Sequence, residues 1–193
     1  MHGLRATGLV PEPLGVGDDG REVVAYVAGD CPHYPLPPWV WTDAALRQVG
    51  SALRKVHDAS ATLGLPSAGW RSPAVPPAEV VCHGDVSPDN TVWRGGRLVA
   101  FIDWDRAVPA PRGYDLGYAA YRFVSLTPPG HPDGLAAPVA KQRRRLDLLC
   151  AGYGGADPAD VLRWAVYRVE ALAASDSPHA ALYAGDAVWL RSL

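Results

Sequence analysis

The 193-residue chain carries 18 Lys and Arg against 20 Asp and Glu, a formal charge of −2, and 48% of its residues are apolar. That composition supports one domain with a buried core and argues against disorder. With no basic excess to hold a phosphodiester backbone, nucleic acid is not an expected partner. No apolar run approaches the ~18 residues of a membrane span, so no membrane partner is expected either. Cys31, Cys82 and Cys150 are odd in number and form no C-x-x-C pair. They read as reduced thiols, and Pro11 and Pro13 break any signal-peptide core after Arg5, so the expected location is cytoplasmic.

In chain order, Leu14–Val16 and Glu22–Val27 read as two strands of a hairpin that turns at Asp18-Asp19-Gly20. The Pro-rich, aromatic stretch from Cys31 to Trp41 reads as a linker. Thr42 caps a helix whose apolar residues Leu46, Val49, Leu53 and Val56 keep a helical spacing. His57 is read near the end of that helix, where the dipole favours it. A second Pro/Gly loop covers Gly64 to Glu79. Val80–Cys82 is a short strand, and Thr91–Trp93 pairs with Leu98–Ile102 around Arg94-Gly95-Gly96-Arg97.

From Asp115 onward the pattern is helical: Leu116–Val124, then Ala137–Cys150, whose basic run Lys141–Arg145 reads as a solvated face. Asp157-Pro158 opens a helix with an apolar stripe of Val161, Leu162, Ala165, Val166, Val169 and Leu172. Ser177-Pro178 repeats that signal for a last helix ending near Leu193. The expected fold class is α+β, mainly α.

The chemistry concentrates in "HGDVSPDN", residues 83–90, and "IDWD", residues 102–105. Hairpin pairing brings the oxygens of Asn90 and Asp103 together, a carboxylate and an amide of the kind a hard cation such as Mg²⁺ takes while keeping several waters. Asp85 lies in the preceding loop, where a carboxylate beside a cation stays ionised and can accept a proton from a substrate hydroxyl.

These two motifs, in this order and at this spacing, resemble the catalytic loop and metal loop of the aminoglycoside phosphotransferase and choline kinase family, which has the protein-kinase-like fold. The pattern H-G-D-x-x-x-x-N is met by His83, Gly84, Asp85 and Asn90, and I-D-W-[ED] by Ile102, Asp103, Trp104 and Asp105. "RGYDLGYAAYRFVSL" and "LRQVGSALRKVHDA" resemble the helices that flank the family's two loops. The resemblance implies Asp85 as catalytic base, Asn90 and Asp103 on Mg²⁺, and His83 and Asp115 as loop supports. It assigns Asp105 either to a second metal or to the loop. It also implies a C-terminal lobe of the kinase-like fold over residues 31–193. Residues 1–30 would then be a remnant β-hairpin of the N-terminal lobe, with Val27–Asp30 as hinge.

The chain departs from the family at the front. It has no glycine-rich loop, and its two lysines, Lys55 and Lys141, both fall on expected helices of the body. The nucleotide, ATP or GTP, is therefore left open. The bare edge of Glu22–Val27 is expected to be covered by a second copy of the chain or another polypeptide. Trp39, Trp41, Tyr114 and Tyr118 are candidate pocket residues for a small-molecule substrate, and Arg191 stands where an aminoglycoside site would want acid. Phosphoryl transfer to a small-molecule hydroxyl is the leading reading. A non-catalytic ligand- or partner-binding module and an ATP-independent acid/base enzyme stand as alternatives.

Overall fold

The structure is a computed structural model that describes residues 2–65 and 69–193. Its body is built on α1 (Asp43–Ala61). The Thr42 hydroxyl accepts the Ala45 amide and so fills one of the orphan donors of the first turn. Leu46, Val49, Leu53 and Val56 are all buried. Against this face lies α3 (Val139–Tyr153). The two helices touch backbone to backbone: a Cβ on Gly50 would collide with the Leu149 carbonyl, and one on Gly152 with the Arg47 carbonyl.

His57 differs from its expected role at a helix end. It is fully buried inside the α1–α3 seam, with Nδ1 2.8 Å from the Tyr153 hydroxyl and Nε2 3.1 Å from Asp115. A buried imidazole needs a partner on each nitrogen, and tertiary packing supplies both.

A second layer contains α2 (Gly113–Ala119), α4 (Pro158–Ala173) and α5 (Ala180–Arg191), with α4 packed between the other two. Asp157 caps α4 through the Ala159 amide at 3.0 Å. Helix α2 runs directly into a wider π-turn, Ala120–Ser125. Carbonyls at such an end lack amide donors, and Arg145 supplies replacements. Its guanidinium donates to the carbonyls of Phe123, Val124 and Trp41 at 2.7, 3.1 and 2.5 Å. The run Lys141–Arg145 is thus not one solvated face: Lys141, Arg143 and Arg144 are exposed, but Arg145 is buried, and burial pulls its pKa down to about 10.

Three antiparallel two-stranded ladders complete the fold. At the front, β1 (Pro13–Val16) pairs with β2 (Glu22–Val24). In the body, β3 (Val80–Cys82) pairs with β6 (Val108–Ala110), and β4 (Thr91–Arg94) with β5 (Arg97–Phe101). The β4–β5 turn places Gly95 and Gly96 at φ 56° and 74°, the left-handed pair that a tight hairpin requires. The result is a mainly helical lobe with a small two-stranded front sheet.

The α1–α3 contact gives a paired test. Gly50→Ala should destabilise the protein by about 1–3 kcal/mol through overpacking. Gly185→Ala, on α5 with open space around it, should be neutral or stabilising by roughly 0.5–1 kcal/mol. Urea unfolding midpoints check both.

Candidate functional site

Two ladders share one connecting segment, and this sharing builds the site. In β4–β5, Thr91 faces Phe101, and the Ile102 amide continues the register by donating to the Asn90 carbonyl at 2.9 Å. Asp103 follows at once, so Asn90 and the Asp103 carboxylate lie at the same end of the hairpin. In β3–β6, Cys82 faces Val108. The chain after Cys82 therefore runs back along the segment before Val108. Gly84 packs so tightly on Arg106 that a Cβ there would strike the Arg106 carbonyl, and its φ of 81° also disfavours a side chain. Residues 102–107 are thus held against the loop 83–90 near both of its ends.

The loop 83–90 is pinned from below by Asp115. Its carboxylate is fully buried and accepts the His83 amide at 2.7 Å, the Gly84 amide at 2.8 Å and His57 Nε2 at 3.1 Å. Burial pushes its pKa up, but His57, His83 and the Gly84 amide outweigh that, and the carboxyl sits below its usual range. The His83 ring bridges the two loops: Nε2 lies 2.8 Å from the Ile102 carbonyl, and Nδ1 accepts the Asp85 amide at 3.2 Å. These partners require the neutral tautomer with its proton on Nε2. Burial among Phe101 and Trp104 lowers the His83 pKa accordingly.

Asp85 is partly exposed and opens onto a cavity of about 610 Å³, where its Oδ2 lies 3.8 Å from Arg106 Nε. Asn90 closes a short 3₁₀ turn, Pro88–Asn90, and donates its amide to the Asp85 carbonyl at 2.9 Å. Its amide oxygen is left as the acceptor. Asp103 is exposed, adopts the left-handed conformation (φ 59°), and forms no ion pair among the described residues. It lines a separate cavity of about 790 Å³, enclosed by β1, β2, Trp104 and the Arg71 segment. Asp105 also lines that space but is engaged by Arg71 at 2.6 Å. The donor set of an amide oxygen and a free carboxylate fits a hard divalent cation.

Tyr114 and Tyr118 line the Asp85 cavity. Trp39 and Trp41 do not: Trp39 packs edge-on against Trp93 at 5.3 Å, and Trp41 lies over Arg145 at 5.8 Å. Two cations in the Asp85 cavity escaped the sequence reading, Arg106 and Arg168. Arg168 was detectable in principle, since it interrupts the α4 stripe at i+3 from Ala165 and i−4 from Leu172.

Both His83 and Asp115 bind fewer protons folded than unfolded. Stability should therefore fall on acidification in two stages, first below the ordinary histidine value of 6.5 and again below the ordinary carboxylate value of 3.8. Asp115→Asn should cost about 3–5 kcal/mol at neutral pH by leaving buried donors unpaired. It should also remove the second stage, and urea melts across pH 3–8 report both.

Residues 67–149 match the family model described as phosphotransferase enzyme family. The trifolitoxin immunity protein of Rhizobium leguminosarum bv. trifolii is 31% identical over 168 residues, covering 80% of this chain but only 61% of that protein's length. Among solved structures, a choline/ethanolamine kinase family protein from Mesorhizobium loti superposes with a TM-score of 0.61 at 18% identity, covering 99% of this chain and 76% of that one. An aminoglycoside phosphotransferase in a ternary complex with streptomycin and ATP gives a TM-score of 0.57 at 12% identity, covering 95% and 72%. At those identities the structures establish the fold. Over residues 67–149 the chain thus resembles the phosphotransferase enzyme family, and its fold is the kinase-like fold of these solved structures.

Proposed function

We propose that the protein transfers a phosphoryl group from a nucleotide to a small-molecule hydroxyl in an Mg²⁺-dependent reaction. The observation that carries this reading is that one loop contact, Gly84 on Arg106, joins the segments that carry Asp85 and Asp103, each of which lines a cavity. The 610 Å³ cavity would take the acceptor and the 790 Å³ cavity the nucleotide. Asp85 would orient the acceptor hydroxyl and accept its proton. Asn90 and Asp103 would hold the Mg²⁺, which neutralises phosphate charge when bound. Lys55 on α1 and Lys141 on α3 lie away from this cavity, whose lining cations are Arg21 and Arg71. Arg71 is the nearer substitute for a phosphate-binding lysine, because its guanidinium already meets the metal-loop carboxylate Asp105.

The experiment is product detection by mass spectrometry with Mg²⁺, ATP or GTP and a panel of hydroxyl metabolites. Asp85→Asn should reduce transfer by about 10²-fold or more while unfolding normally. Equal transfer by the variant and the wild type removes Asp85 from the reaction.

A second reading has its own support. The curated relative is named as an immunity protein, not as a kinase. A module that protects by binding alone would show saturable ligand binding with no phosphorylated product under any nucleotide.

We also propose that a second copy covers the front sheet. Leu14, Val16 and Tyr26 are 62%, 72% and 88% exposed, and Val23 and Val24 are exposed beside them. Such a contiguous apolar strand edge is rarely left open. Among the described residues β2 pairs only with β1, so its free edge can pair with itself across a two-fold axis. Sedimentation should give a dimer at micromolar concentration that Val16→Asp dissociates, and a wild-type monomer there refutes the pairing.

A further inference from the structure

Two buried arginines in this chain are held very differently. Arg145 gives its guanidinium three carbonyl acceptors. Arg168, on α4, is only 8% exposed, yet among the described residues it makes a single hydrogen bond, from Nη2 to the Gly84 carbonyl at 2.5 Å. Its Nε is buried with no acceptor, and no carboxylate among the described residues forms an ion pair with it. The guanidinium is instead stacked over the Tyr114 ring at 3.9 Å, with Tyr118 at 5.0 Å. That stacking fixes the planar fork and leaves its other edge without a partner. A buried guanidinium nitrogen without an acceptor is costly unless a ligand completes it.

The surroundings are built for the same purpose. Arg168 and Arg106 both line the Asp85 cavity, and Asp85 is the only carboxylate among its described lining residues. The remaining polar groups there are hydroxyls. Burial raises the pKa of Tyr114 and Tyr118, so both phenols remain protonated donors at neutral pH. A polycationic or quaternary ammonium substrate would meet two guanidinium groups and one carboxylate. An oxyanion would meet two guanidinium groups and phenolic donors, the fork geometry that recognises carboxylate and phosphate.

We propose that the acceptor cavity recognises a hydroxylated small molecule bearing an oxyanion, a carboxylate or a phosphate, with Arg168 and Arg106 receiving the anion and Asp85 facing the hydroxyl. The cavity volume of about 610 Å³ suits a compact metabolite. This inference rests on the phosphotransfer reading for the role of the hydroxyl, but the anion site stands on Arg168 and Arg106 alone.

The test is calorimetry with matched probes: gluconate and glucose 6-phosphate against glucose and glucosamine, and glycerate and glycerol 3-phosphate against glycerol. At least one anion should bind 10-fold or more tightly than its neutral or cationic counterpart. The carboxylate and phosphate arms identify which oxyanion is preferred. Arg106→Gln, at a largely exposed side chain, should weaken that binding about 10-fold. Arg168→Gln should weaken it at least as much, with Arg168→Lys as the variant that keeps the charge if the glutamine form does not fold. Asp85→Asn should leave anion affinity unchanged or improved. Neutral and cationic probes binding as well as anions, no binding by any anion, or anion affinity indifferent to Arg106→Gln and to the folded Arg168 variant each overturn the proposal. Anion binding without Asp85-dependent transfer would sink the phosphotransfer reading and keep this site. Asp85-dependent transfer to a neutral alcohol, unaffected by the Arg168 variants, would do the reverse.

Discussion

Asp115 holds the candidate site together. A carboxylate removed from water is destabilised unless its oxygens are filled, and here two backbone amides and an imidazole fill them. Because the amides belong to His83 and Gly84, the same bonds that keep Asp115 ionised also set the path of the loop carrying Asp85. Because the imidazole belongs to His57 on α1, and His57 is in turn held by Tyr153 on α3, the loop is tied to the deepest helix pair in the fold. The site therefore inherits its rigidity from the core.

From that anchor the geometry propagates through backbone pairing. The His83 ring reaches the Ile102 carbonyl, β3–β6 sets Gly84 on Arg106, and β4–β5 sets Asn90 beside Ile102. Segment 102–107 cannot shift without disturbing both ladders. Asp85 and Asp103 each line a cavity of their own.

Charge is distributed unevenly between the two cavities. On the side of Asp103, Arg71 is neutralised by Asp105 and Arg21 by Asp19. On the side of Asp85, Arg106 lies near one carboxylate and Arg168 has none. The contrast with Arg145 matters most. Both arginines are buried on helices of the body, but one closes off the carbonyls of a π-turn and the other opens into a cavity. Similar burial with different satisfaction separates a structural cation from one able to receive a ligand.

Much of this was legible in the residues. The Thr42 and Asp157 caps, the α1 stripe, the Gly95-Gly96 hairpin and the two motif loops are local patterns in which short-range spacing dictates conformation. Strand β6 was not legible, because a three-residue Val-Pro-Ala segment has no periodicity and becomes a strand only through its pairing with β3. Nor was the 3₁₀ segment His2–Thr7, which is held by Leu4 in the core and leads to the Leu9 carbonyl that accepts the Phe101 amide. By itself the sequence determined which residue types could do chemistry, their order, and the local elements that carry them. Only the tertiary structure decided that His57 is a buried brace, that Arg145 caps a turn, that Arg168 enters the Asp85 cavity, and that Asp105 faces Arg71. Those outcomes depend on partners 21 to 104 residues away, and no local spacing encodes which distant group will meet a buried charge.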